Sequence, residues 1–279
     1  MKPHEFGLSA FSLAGRVAMV TGGNSGLGRA FSLALAAAGA DVFVVSLTPD
    51  SAVATTADDP GAPDAASESA TAQCTGDLVR AKGTRYVELV TDLTVPGECP
   101  RAVRECLHAY GQLDILVNSA GICLIDDVDR FDRAKWDPMV AVNLTTAFEL
   151  IHEASAVMSA AGYGKIVNIA SLFSFLGGRR SPAYAATKAG IAGLTRAYCD
   201  ELADRGITVN ALAPGYFATA ITAATRADET LSRRIVEHIP AGRWGDPADL
   251  MGALVFLCSP ASDYVNGQVL VVDGGYLTR

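Results

Sequence analysis

Tyr184 and Lys188 stand four residues apart in Tyr-Ala-Ala-Thr-Lys, just after Pro182. On a helix, that spacing puts both side chains on one face. A phenol with an ordinary pKa of about 10 is a poor base near neutrality. A lysine ammonium beside it stabilises the phenolate. At an effective dielectric of about 20, two unit charges about 4 Å apart gain about 4 kcal/mol. That corresponds to about three pKa units, enough to make Tyr184 a working acid/base. Ser171, ending the run Ile166–Ala170, offers a hydroxyl to hold a substrate oxygen beside the Tyr184 OH. Asn143 is a candidate to anchor a water joining Lys188 to solvent. Each signal alone is common; the four in this order are a constellation for proton transfer at a carbonyl or hydroxyl oxygen.

A second group points to a dinucleotide. The run Arg16–Thr21 leads into Gly22-Gly-Asn24-Ser25-Gly26-Leu27-Gly28 and then a helical pattern. Gly22 permits the tight turn, Gly26 lets backbone approach a pyrophosphate, and Gly28 lets helix and strand pack closely. The free N–H groups of the helix start favour phosphate. At the end of the second strand an acid would favour NAD and an arginine NADP. Here stand Ser46, Leu47 and Thr48, and Ser25 is not basic. The expectation is NAD(H), with NADP(H) kept open because Arg29 could meet a phosphate.

These residues need strands and helices to hold them. Apolar runs at Val17–Thr21, Val42–Ser46, Tyr86–Val90, Ile115–Asn118, Lys165–Ala170, Thr208–Leu212 and Val269–Val272 read as strands buried on both faces. Helical patterns alternate with them at Gly26–Ala38, Cys99–Tyr110, Arg133–Ala160, Pro182–Arg205 and Pro247–Cys258. The expected fold is α/β: a single-domain, Rossmann-type, doubly wound parallel sheet of about seven strands, helices on both faces, spanning residues 1–279. Residues 48–76, rich in Ala, Asp, Ser, Thr, Pro and Gly, break the rhythm and read as a low-complexity surface insertion.

Composition narrows the partners. The chain has 279 residues, half of them hydrophobic, and a net charge of −8. That balance argues against nucleic acid and anionic membrane, leaving a small-molecule substrate. Only 19% of residues are charged, which suits an oligomer with buried subunit surface. Six scattered cysteines and four histidines form no metal-ligand spacing, so no metal is expected and the thiols read as packing groups. Cys123, near the expected site, is open to a reactive role, but a packing side chain is the favoured reading. Residues Met1–Gly15 lack a signal-peptide pattern and no apolar run reaches bilayer length, so a cytoplasmic protein is expected.

Thr21-Gly22-x3-Gly26-x-Gly28, Asp92, Asn118-Ser-Ala-Gly121, Asn143, Ser171, Tyr184-x3-Lys188 and Pro214-Gly215 together resemble the short-chain dehydrogenase/reductase family over nearly the whole chain. The resemblance implies hydride exchange between a nicotinamide and an alcohol or ketone, in a tetramer. It implies that Asp92, with Leu93 beside it, meets the adenine and that Asn118, Ala120 and Gly121 flank the adenosine ribose. Lys188 would hold the nicotinamide ribose, and the stretch from Pro214 through Phe217 to Thr219 the carboxamide. Asn24 and Leu27 fall within the cofactor turn.

The C-terminal third, including Ala213–Thr219, Arg226–Glu229, Ile239–Gly245 and Ser262–Gly267, resembles the 2-dehydro-3-deoxy-D-gluconate 5-dehydrogenases. That resemblance implies a keto-sugar acid, whose carboxylate needs a cation; Arg180 and then Arg226 are the candidates. Against it, Ile122-Cys-Leu-Ile125 is apolar where those enzymes carry a basic pair. A less charged ketone, such as a cyclic diketone, steroid or 3-oxoacyl compound, therefore stays open, as does a catalytically silent nucleotide-binding scaffold.

Overall fold

The computed structural model of the chain describes residues 7–51 and 73–279. Among them, seven strands form one sheet: β1 Val17–Thr21, β2 Asp41–Ser46, β3 Tyr86–Val90, β4 Ile115–Asn118, β5 Gly164–Ile169, β6 Ile207–Pro214 and β7 Val269–Val272. All neighbours run parallel, in the order β3-β2-β1-β4-β5-β6-β7. Strands β1, β4, β5 and β6 are buried at every residue, which is why they read as mostly apolar runs without strict alternation; such polar exceptions as Lys165, Asn168 and Asn210 are hydrogen-bonded. The edge strands β3 and β7 are less covered.

The described helices are α1 Gly26–Ala37, α2 Thr75–Arg80, α3 Glu98–Tyr110, α4 Arg133–Val140, α5 Thr146–Ala161, α6 Pro182–Leu202, α7 Ala223–Ala227, α8 Glu229–His238 and α9 Met251–Cys258. They cover both faces. Ala18 and Val20 of β1 pack in a core with Phe31, Leu35 and Leu254 from α1 and α9. Val17 and Met19 face the opposite core, with Val103, Leu150 and Ile151 from α3 and α5. Strand alternation thus divides β1 between two cores.

Three expectations need correction. The helix expected over Arg133–Ala160 is broken: a π turn at Ala141–Thr145 separates α4 from α5. Asn143 lies in that turn, and its carboxamide bonds the Ile122 backbone at both ends, as described below. The helices expected to run through Arg205 and from Pro247 are tightened to 3₁₀ turns at Ala203–Arg205 and Pro247–Leu250. Finally, the expected insertion over 48–76 is not all loop. Thr75 and Gly76 are buried in α2, because the Asp50 carboxylate accepts their backbone N–H groups at 3.0 and 2.7 Å. That cap comes from 25 residues earlier, beyond any local pattern. Residues 52–72 of the insertion lie outside the described residues.

Candidate active site

Strand order reverses between β1 and β4, and a crevice opens at their carboxyl ends. A cavity of about 250 Å³ fills it. Gly22 and Ser25–Gly28 line one side, Ser119–Ile122 another, and Ile169–Ser171 with Tyr184 and Lys188 the floor; Pro214, Gly215, Phe217 and Thr219–Thr222 complete it.

The glycine turn fits a dinucleotide's phosphates. Gly22 takes φ +65° and Gly26 φ +49°, the left-handed region that favours glycine. A Cβ on Gly28 would stand 2.1 Å from the Gly22 carbonyl oxygen, so only glycine lets α1 start this close to β1. The Gly22 N–H bonds Val45 O at 2.7 Å, and Thr21 Oγ1 accepts from Ser119 N and Ala120 N at 3.0 and 2.9 Å. The turns after β1 and β4 are therefore locked together, with the N-terminus of α1 facing the cavity.

The acid/base group rests on α6 and the end of β5. Pro182 opens α6 at a position where its missing N–H costs nothing. Tyr184 and Lys188 follow on one face, with the Lys188 Nζ 5.5 Å from the Tyr184 ring centre. The Nζ donates to Ile169 O at 2.7 Å, and Ser174 Oγ donates to Lys188 O at 2.7 Å. Ser171 follows β5 beside Tyr184 in the cavity lining and caps the turn Leu172–Ser174, its Oγ accepting from Phe173 N at 3.3 Å. Phe173 meets the Tyr184 ring edge-on at 5.8 Å. Asn143 is buried; its Oδ1 accepts from Ile122 N and its Nδ2 donates to Ile122 O, both at 2.8 Å. It thus holds the loop after β4 against α6, where Gly121 leaves room for the Asn143 and Lys188 side chains.

The electrostatics correct one expectation. Burial pushes the Tyr184 phenol up to about 12; the Ser171 bond opposes this, and Cys123 adds to it. Burial also draws the Lys188 ammonium down to about 8. Desolvation governs both shifts, because both groups leave water together. The Cys123 thiol is likewise pushed up by burial, as suits a packing thiol.

Several expected cofactor positions stand apart from the cavity lining. Asn24 Nδ2 donates to Thr48 O at 2.7 Å and to Glu88 Oε1 at 3.0 Å, so it points back into the fold. Ser46 Oγ donates to Glu88 Oε1 at 2.7 Å. Asn118 Nδ2 donates to Asn168 Oδ1 at 2.8 Å, tying β4 to β5. Asp92 is exposed and Oδ1 accepts from Thr94 N and Oγ1. Leu93 packs against the core beside α3. Glu88 is the residue sequence reasoning missed; its signal was an acid inside the apolar strand Tyr86–Val90.

The two arginines part company. Arg180 takes φ +66° and its half-exposed guanidinium pairs with Asp127 at 3.1 Å, outside the cavity lining. It joins two surface loops, since Arg180 O also accepts from Asp126 N at 2.9 Å. Arg226, on α7, donates from Nη2 to Thr219 O at 3.2 Å, and Thr219 lines the cavity. Among the described residues no cluster of His, Cys, Asp and Glu could hold a metal ion.

A family model described as enoyl-(acyl carrier protein) reductase matches residues 52–277. The chain belongs to the short-chain dehydrogenase/reductase family and is an NAD(P)-dependent oxidoreductase acting on CH–OH groups. It is 50% identical to the uncharacterized oxidoreductase YgcW of Escherichia coli K12, over 98% of this chain and 97% of the relative. It is 42% identical to the 2-dehydro-3-deoxy-D-gluconate 5-dehydrogenase of the same strain, over 98% and 99% of the two chains. The solved gluconate 5-dehydrogenase of Burkholderia cenocepacia J2315, in complex with NADP and tartrate, superposes with a TM-score of 0.85 at 35% identity, covering 98% of this chain and 99% of that one.

Proposed function

We propose that the chain interconverts a secondary alcohol and a ketone on a sugar acid, with NAD(H) as its working cofactor. The observation that carries the reading is the set Ser171, Tyr184 and Lys188 on the cavity floor, facing the glycine turn. A nicotinamide held by these residues would supply hydride exchange with the substrate carbon. Tyr184 gives or takes the proton at the substrate oxygen, and Ser171 orients that oxygen. Lys188 spends one of its three N–H donors on Ile169 O, leaving two for a ribose hydroxyl and solvent. Gly22, Gly26 and Gly28 hold the phosphates, and Pro214, Gly215, Phe217 and Thr219 the carboxamide end.

The relatives named for 2-dehydro-3-deoxy-D-gluconate and gluconate support a sugar-acid substrate. Arg226 supports it by position: its guanidinium donates to the lining residue Thr219, whereas Arg180 lies outside the cavity lining. A second reading, a less charged ketone, is favoured by Ile122, Ile169 and Ile221 in the lining. NADP in the solved relative speaks for the phosphorylated cofactor there. A cytoplasmic tetramer completes the reading. Half-exposed Phe148 and Trp136, on α5 and α4, suit an oligomer by leaving apolar surface to cover.

The test is absorbance of the reduced nicotinamide with NADH and NADPH across keto-sugar acids, neutral keto-sugars, cyclic diketones and steroid ketones. Turnover of a keto-sugar acid supports the first reading; turnover of apolar ketones alone supports the second. In the first case, Arg226→Ala should raise KM for the acid about tenfold, roughly the 1.4 kcal/mol of one charge-assisted bond. A neutral analogue should shift little, and Arg180→Ala should leave both nearly unchanged.

A further inference from the structure

Glu88 interrupts β3, pairing with Val44 of β2, and its carboxylate lies across the carboxyl end of β2. Oε1 accepts from Ser46 Oγ at 2.7 Å and Asn24 Nδ2 at 3.0 Å, and the Asp50 N–H is shared between Oε1 and Oε2, both at 3.1 Å. A carboxylate offers about four acceptor sites. Oε1 is therefore crowded, while among the described residues Oε2 holds only its share of one N–H.

The donors are themselves fixed. Asn24 belongs to the glycine turn and its carbonyl accepts from Thr75 Oγ1 at 3.3 Å. Asp50 is buried and caps α2. The result is a rigid anion between the glycine turn and the end of β2, where the adenosine ribose lies in sheets of this kind. Arg29 is engaged elsewhere, donating from Nη2 to Gln73 O at 2.6 Å.

We propose that Glu88 sets the cofactor choice: Oε2 accepts from the ribose 2′-hydroxyl, and the carboxylate repels a 2′-phosphate. The acid that would stand at the end of β2 is supplied instead from the neighbouring strand, with Ser46 and Asn24 as its positioning partners. The proposal rests on a dinucleotide occupying the cavity and not on the identity of the substrate.

Calorimetric titration of the full chain with NADH and NADPH tests it without turnover. The wild type should bind NADH at least tenfold more tightly. Glu88→Gln should shrink that ratio about tenfold, with thermal unfolding recorded for both proteins. Equal affinities in the wild type, tighter NADPH binding, or a folded Glu88→Gln variant that weakens both cofactors alike would each overturn the proposal. If the variant does not fold, ADP against its 2′-phosphorylated form on the wild type decides, with ADP expected to bind at least tenfold tighter. Failure of both dinucleotides to bind would overturn this proposal and the oxidoreductase site together, whereas equal binding overturns this proposal alone.

Discussion

Tyr184, Lys188, Ser171 and Asn143 were legible as a candidate set by their types and order; the structure places the first three in the lining of one cavity and bonds Asn143 to the lining residue Ile122. Replacing Tyr184 by Phe removes the hydroxyl and little else. A fall in kcat of about 10²–10⁴ is expected, with cofactor affinity within about twofold of wild type. Absorbance kinetics and fluorescence titration measure the two separately; near-normal kcat would remove Tyr184 as the acid/base. Ionisation was not legible, because desolvation depends on everything packed around a group. Lys188 sits at about 8 in the folded, cofactor-free protein, below its ordinary 10.5. Between those values the unfolded chain binds a proton that the folded chain has shed, so this group's contribution rises with pH. Tyr184, raised from 10 to about 12, does the reverse above pH 10. The melting temperature of the cofactor-free wild type, relative to Lys188→Met, should therefore climb from pH 8 to 10. A flat difference would mean the ammonium is not desolvated.

At the scale of elements, the glycine turn shows how a short stretch dictates a site. A Cβ at Gly28 meets the Gly22 carbonyl oxygen at 2.1 Å, backbone that cannot yield cheaply. Gly28→Ala should lower stability by about 1–3 kcal/mol and weaken cofactor binding more than tenfold. Denaturant melts and titration check this, and an unchanged Kd would mean that the turn does not hold the phosphates. Strands were readable to within a residue or two because burial on both faces leaves mostly apolar residues. The break at Ala141–Thr145 was hidden because its bonding partner, Ile122, is about twenty residues earlier. The start of α2 was hidden for the same reason, its cap being Asp50.

At the scale of the whole molecule, apolar side chains remain at the surface around α4, α5 and the loops by the cavity, including Trp136, Phe148, Phe175 and Leu176. Association of chains would cover part of that area. Light scattering after size exclusion should give about four times the 29.0 kDa chain mass, and a stable 29.0 kDa species at micromolar concentration would rule the tetramer out.

Types, order and spacing of residues determined the sheet, the glycine turn and the candidate proton-transfer set, because local periodicity and short motifs encode each of them. Tertiary structure alone decided which arginine neighbours the cavity, which acid stands at the end of β2, and which way two pKa values move. Arg180 and Arg226, or Ser46 and Glu88, differ in no local pattern that marks which packs beside the cavity or the end of β2. Tertiary contacts do, since Asp127 draws Arg180 outward while β2–β3 pairing brings Glu88 to Ser46.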